Sequence, residues 1–414
     1  MDCIKSVVAA ARRRHAWRGT LVVYLAFLAL LQTSLWPPDT LFTGEDNAQI
    51  AEADSWLEGR LDLPERLWDT AEVNGRYYSH FPPMFTIISA GVVWLFDGVP
   101  HWFVLMVLVA PIPGLAYALF FRRTGSWKWG AVLAIGLVCG TSLWCVLDKT
   151  LRGAAPYHTN HALATLGLLV FLLEYFGHRR VWVAGVGLII AALSRQLTVF
   201  FVIPLVAMAL SGEDGARRRA RLVAVGAVVV ILAAVPMVLS TLKFTSPLDT
   251  GYMRIYEGRD DDLAMAAKEH GLFSAHFVPR NLYYANLGLP RVQTVQIMGE
   301  ERTYVRPNLL STGIWWTTPL LVWVIVGFRR IAGDSRDRWL LAASVGVYIA
   351  LLFFHGTGEE QRGFNRFSLD YVPVMLAMAA PLCIEGRRRW VSLLMVVWSV
   401  TYFRFLLAVP HIGL

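Results

Sequence analysis

Charged residues make up only 16% of the 414-residue chain, and it has four cysteines. Cys3 lies in the N-terminal tail and Cys139, Cys145 and Cys383 lie within or beside apolar runs, which indicates neither a disulfide framework nor a CxxC metal pair. The chain also lacks a GxxxxGK[ST] phosphate loop, a strand-linked GxGxxG, an HExxH pair and a GxSxG elbow. With no polar stretch large enough for a nucleotide domain, a nucleotide-driven pump is disfavoured. There is no Asn-x-Ser/Thr sequon, internal repeat, low-complexity tract or Ser/Gly linker. A single integral domain over residues 1–414 is the simplest organisation.

What is present is apolar: 56% of the residues are hydrophobic and 13% aromatic, with a mean hydropathy of +0.49. That composition excludes an ordinary soluble enzyme. Apolar segments run at 20–36, 101–121, 130–147, 159–176, 181–193, 197–211, 220–240, 311–328, 338–355, 369–384 and 390–408; crossing a ~30 Å hydrocarbon core takes about 20 such residues. The net charge of +8 reflects arginines clustered beside these runs, which points to membrane orientation and not to a nucleic-acid partner. If the shorter segment 84–96 dips in or lies at the interface, Arg122/Arg123/Lys128, Arg179/Arg180, Arg217–Arg219/Arg221, Arg329/Arg330/Arg336/Arg338 and Arg387–Arg389 all fall on the cytoplasmic side.

The expectation is therefore an all-α polytopic membrane protein of eleven spans, or twelve if 84–96 crosses. Its N-terminus is cytoplasmic, and the first span is an uncleaved signal anchor behind Lys5, Arg12, Arg13, Arg14 and Arg18. The outer face then receives residues 37–83, 241–310 and 356–368, and any chemistry belongs there. Short arginine-rich inner loops fit a bacterial inner membrane.

Just after the first span, Ile50, Ala53, Leu57 and Leu61 share one stripe of an amphipathic interfacial helix. Glu45-Asp46 opens that helix. The spacing supports two readings equally: a general base at headgroup level, or a helix start capped by Thr43.

Arg195 interrupts the apolar stretch AALSRQLTVFF, where a guanidinium costs about 2.5–3.5 kcal/mol unless it reaches water or a partner. It is placed to hold a phosphate, or to snorkel from a turn. The second outer turn, LDKTLRGAAPYHTNHALATL, carries Asp148, Lys149, Arg152, His158 and His161. Residues 158 and 161 share a helical face, but without a following glutamate they make a weak zinc site. Arg362 and Arg366 lie four apart before FSLDYVP and complete a cationic patch with Arg195 and Lys149, or an ordinary loop paired through Glu359 and Glu360. The long segment 241–310 holds Tyr252, Tyr256, Tyr283, Tyr284 and His276, together with Asp260-Asp261-Asp262. Segments of this length commonly cover a site; the aspartate run either binds a divalent cation or is a solvated loop.

The stretch from Glu45-Asp46 through LEGRLDLPERLWDTAEVNGRYYSHFPPMFTIISA resembles the first outer loop of GT-C class polyprenyl-phosphate-sugar glycosyltransferases, the protein-mannosyltransferase-like and aminoarabinose-transferase-like superfamily. SRQLTVFFVIPLVAMAL and QRGFNRFSLDYVPVMLAMA are similar, less specifically, to arginine-containing span starts in such proteins. The second outer loop departs from the pattern, where only Asp148 can match a further acidic residue; residues 241–310 and the C-terminal half match poorly.

The resemblance implies a GT-C-like helical bundle. It implies transfer of one sugar, with inversion, from a polyprenyl-phosphate donor to a lipid, protein or glycan acceptor at the outer face. It makes Asp46 the catalytic base with Glu45 as neighbour. Arg195, Arg362, Arg366 and Lys149 then offset the phosphate charge, while Asp148, His161, Tyr77 and His80 line the substrate site. No organic cofactor is implied, and a divalent cation held by Asp46 and Asp148 stays open. A secondary transporter or lipid flippase is the alternative, predicting inverted repeats and ionisable groups near mid-membrane.

Overall fold

The computed structural model describes residues 17–29, 47–152, 156–211, 215–257, 259–297, 300–306, 311–358 and 364–408. Glu45, Asp46 and Arg362 lie outside the described residues.

Helices dominate. Among the described residues His101–Thr124 and Ala216–Phe244 are long and apolar enough to cross a membrane, and Trp127–Cys139 with Ser142–Leu151 forms a third such stretch bent by 63°. Ala216–Phe244, at 29 residues, is about 44 Å long. Its Val223, Val230, Val238 and Leu242 are exposed, an apolar flank suited to lipid. Two of the other expected spans are short or broken: the first is a helix over Trp17–Ala29, and 311–328 divides into Ile314–Thr317, Pro319–Leu321 and Val322–Val326. Met84–Leu95 has 12 residues, about 18 Å of rise against a ~30 Å core.

The chain is not wholly α. Thr70–Val73 and Arg76–Ser79 form an antiparallel hairpin, as do Arg291–Ile297 and Glu300–Arg306. The first turns on Asn74-Gly75, whose φ values of 52° and 75° are the left-handed pair that two-residue hairpins require. The Asn-Gly signal stands plainly in VNGRYY.

The helix expected after the first span is present as Ala48–Leu57, but its cap and its inward face differ from expectation. Asn47, not Thr43, is the cap: its side chain accepts from the Gln49 and Ile50 amides. The buried residues are Ala48, Gln49, Glu52, Ala53 and Ser55, while Leu57 is exposed. The helix thus turns polar groups inward because partners wait there: Glu52 meets Lys243 and Thr86, and Gln49 meets Asn160.

The long helices run between two chemically different ends. At one end Arg123 pairs with Asp337 at 3.0 Å, the Tyr175 hydroxyl donates to the Arg336 carbonyl, Arg179 reaches Ser211, and Arg330 and Arg388 both reach Glu385. The basic clusters of the sequence gather here. Pro156–Tyr175, 20 residues or about 30 Å, leads from the other end to this one, and Val181–Ala192 runs back beside it. The two helices touch backbone to backbone at Gly167 and Gly187. A Cβ on either would come within 2.4 or 2.7 Å of the other's carbonyl oxygen, close packing that small residues permit within membranes. Asp337–Phe353 and Val372–Cys383 also connect the two ends.

Candidate functional site

The end opposite the arginine clusters collects most of the described residues that the sequence singles out. Its centre is Asp370, fully buried at the end of the Arg366–Asp370 turn. Arg195, just past Val181–Ala192, forks onto it through Nε at 3.2 Å and Nη2 at 3.0 Å. A planar guanidinium on a carboxylate is the geometry that most offsets the desolvation of both charges. His161, one turn into Pro156–Tyr175, brings Nδ1 to 3.5 Å from the same carboxylate. That distance exceeds a good hydrogen bond, so the ring is held mainly by packing. Its Nε2 is buried with no hydrogen-bond partner among the described residues.

Aromatic rings frame these charges. Phe367 lies under Arg195 at 4.8 Å and edge-on to His161 at 5.5 Å. Arg366 places its guanidinium over Tyr157 at 4.6 Å and over Phe367 at 5.1 Å. Cations held over ring faces keep their charge while losing water. Ser142 and Ser368 hydroxyls meet at 3.3 Å, fixing the turn to the Ser142–Leu151 helix.

The first polar segment joins from one side. Gln49 donates to the Asn160 Oδ1 at 3.1 Å and to the Pro82 carbonyl at 2.7 Å, so the start of Ala48–Leu57 is bonded to the residue beside His161. The Met84 amide donates to the Leu193 carbonyl, seating the same segment against the Arg195 turn. His80 is buried with its ring 4.3 Å from Phe81 and 4.9 Å from Tyr252. Burial pushes its pKa down to about 4, the backbone at Asp69 opposing and Lys243 adding to the fall; the ring is neutral at pH 7.

Segment 241–310 approaches from the other side. Tyr252 contacts His80, Phe354 and His355, and the charges of Arg195 and Arg366 act on its hydroxyl against the larger effect of burial, which raises its pKa. Below it, Tyr256 shares a 2.5 Å hydrogen bond with His355, and Asn281 donates to the Leu352 and Phe354 carbonyls. These bonds cap the end of Asp337–Phe353, whose last carbonyls need partners.

Not every expected residue joins. Asp148 is buried and paired with Arg152 at 3.3 Å on its own helix. Half-buried Lys149 makes no ion pair among the described residues. Tyr77 pairs with Glu72 in the hairpin and packs with Tyr157 on the group of Ala48, Leu63 and Phe81. Asp261 caps Asp262–His270 and pairs with Arg259 at 2.7 Å, so this run does helix and charge-pairing work. Among the described residues no three His, Cys, Asp or Glu side chains cluster as a metal set.

Asp370 and Lys243 take no role from the sequence patterns, and Glu52 only that of a polar position on the interfacial helix. Asp370 carried a signal: an aspartate opening an apolar run, in FSLDYVPVML, is costly without a partner.

No family model matches the chain, and no curated protein matches it. Solved structures do. The apo oligosaccharyltransferase of Archaeoglobus fulgidus superposes with a TM-score of 0.50 at 15% identity, covering 95% of this chain and 55% of that one. ArnT from Cupriavidus metallidurans, solved bound to undecaprenyl phosphate, gives 0.47 at 12% identity, covering 90% of this chain and 61% of that one. This chain therefore spans between half and two thirds of those lengths. The likeness to the oligosaccharyltransferase shows the fold alone, a polytopic helical membrane architecture.

Proposed function

We propose that the chain is an inverting glycosyltransferase that moves one sugar from a polyprenyl-phosphate donor to an acceptor at the outer face of a bacterial inner membrane. The observation that carries this reading is the convergence at one end of the fold. Gln49, three residues after Asp46 in the sequence, is bonded to Asn160 of the helix that holds His161, beside Arg195, Asp370 and Arg366. A cationic site and an aromatic frame thus belong to one place, next in sequence to the residue read as the base.

In the proposed step the acceptor's hydroxyl or amine attacks the anomeric carbon opposite the phosphate. The acceptor's proton passes to Asp46. The bond from carbon to phosphate oxygen breaks, leaving its electron pair on the phosphate. Arg366 faces the growing phosphate charge most directly, with Arg362 four residues before it; Arg195 contributes what Asp370 leaves uncompensated. Tyr252 and the rest of segment 241–310 cover the site and keep water from the donor.

Among the described residues the carboxylates at this end each have a cationic partner. Asp148 pairs with Arg152, Asp370 with Arg195 and Glu52 with Lys243.

The buried Asp370–His161 contact favours one competing reading, a proton-coupled transporter. Donor binding separates the two. Filter binding of a labelled polyprenyl phosphate to the purified protein falls at least tenfold in Arg366→Met under the transferase reading. Unchanged binding would contradict the phosphate role.

A further inference from the structure

Glu52 and Lys243 form a buried ion pair between two polar segments that are 191 positions apart in the chain. Lys243 is 4% exposed and Glu52 not at all. The ammonium also donates to the Ser79 carbonyl at 3.1 Å and lies 5.9 Å from the Trp56 ring. The second Glu52 oxygen accepts from the Thr86 hydroxyl at 2.8 Å. Four pieces of chain meet here: the Ala48–Leu57 helix, the hairpin strand Arg76–Ser79, the start of Met84–Leu95 and the end of Ala216–Phe244. Next to the pair, Phe244 packs edge-on to Tyr78 at 6.1 Å.

Two charges this deeply buried are retained against a desolvation cost that apolar side chains would avoid, and removing one partner leaves the other stranded. The position explains what the pair gains. Glu52 lies one helical turn after Gln49, whose amide ties the helix start to Asn160. Lys243 is at the root of segment 241–310, nine residues before Tyr252. A rigid connection between these two points sets the base-bearing segment and the covering segment in one relative position.

We propose that Glu52 and Lys243 are positioning residues, a latch that couples the seating of the segment carrying Asp46 to the placement of the cover. The inference rests on the glycosyltransferase reading for its catalytic consequence, but the coupling itself is testable without turnover. The latch touches neither donor phosphate nor acceptor. It acts on how the base and the cover meet them.

Hydrogen exchange on the full-length protein in detergent, comparing the native chain with Lys243→Met, Glu52→Gln and the double variant, tests the coupling. Lys243→Met strands a buried carboxylate, so the slow amides of 48–57 and of 245–257 are expected to exchange together, faster by on the order of 100-fold. The double variant, with no charge left to strand but no latch either, is expected to lessen the loosening while leaving both segments faster than native; full return to native rates would overturn the latch. Loosening of only one segment, or of neither, would overturn the latch whether or not the protein transfers sugar. Where the native protein turns over a polyprenyl-phosphate sugar, Lys243→Met lowers kcat at least tenfold and raises the share of donor lost to water. The KM for donor is unchanged, because the phosphate-facing arginines are untouched. Equal loss in kcat and KM with no rise in hydrolysis is the outcome of a merely structural pair, and would contradict the positioning role.

Discussion

Arg195 closes its guanidinium on Asp370 across 175 positions of chain, with Nη2 3.0 Å from the carboxylate. The carboxylate is fully buried and the arginine side chain 17% exposed. Each charge makes the other tolerable at that depth, and together they pin the Arg366–Asp370 turn against the start of the Gln196–Phe201 turn. Asp370→Asn keeps the shape and removes the charge, which strands Arg195. It is expected to lower stability in detergent by about 3–5 kcal/mol, the usual cost of halving a buried pair. Arg195→Met combined with Asp370→Asn is expected to recover much of that loss, read from thermal unfolding of the four proteins.

His80 gives a pH dependence whose sign follows from burial. Its folded pKa of about 4 lies below the ordinary 6.5, so between those values the unfolded chain binds the extra proton. Stability is unaffected above pH 6.5 and falls as pH drops through the window, by roughly 2 kcal/mol at pH 5 from this group alone. His80→Gln is expected to flatten the slope of the unfolding midpoint between pH 6.5 and 5. An unchanged slope would assign the acid sensitivity elsewhere.

Asn47 caps the helix that carries Glu52 and Gln49. Asn47→Ala is expected to cost about 1 kcal/mol in unfolding free energy. Asn47→Ser, which can also cap, is expected to retain most of it.

The two ends of the bundle predict the topology. Exposed His178 stands at the arginine-rich end and Met265, also exposed, on the covering segment. Cys139, Cys145 and Cys383 are buried, so a Cys3→Ser background gives little labelling of its own. In intact cells an impermeant thiol reagent is expected to label Met265→Cys and to spare His178→Cys. The reverse pattern would invert the proposed orientation.

Much of this architecture is legible in the sequence because it follows from local patterns. The long apolar runs, the arginines at their ends and the cost of Arg195 within one of them are all short-range signals. The helix Pro156–Tyr175 follows from such a run, and His161 and Arg366 stand out as polar groups at the edges of two such runs. Asp370, Glu52 and Lys243 are different. Their meaning lies in partners 175 and 191 positions away, and no periodicity records a pairing at that distance. Glu52 was hidden further by a sound rule applied to the wrong surface. An apolar stripe of Ile50, Ala53 and Leu57 reads as the buried face, yet Leu57 is exposed and Glu52 is buried, since a lysine from another segment waits inside. The Asn74-Gly75 hairpin, by contrast, was available from two residues.

The central claim is sugar transfer from a lipid phosphate with Asp46 as base. Its most direct test is transfer of radiolabelled sugar from a panel of polyprenyl-phosphate sugars to cell-envelope acceptors in liposomes, comparing the native protein with Asp46→Asn. The account predicts transfer by the native chain and a loss of at least about 100-fold in the isosteric variant, within the range of general-base catalysis. Transfer that survives in Asp46→Asn would remove the base. No transfer from any donor by a folded native protein would contradict the enzyme.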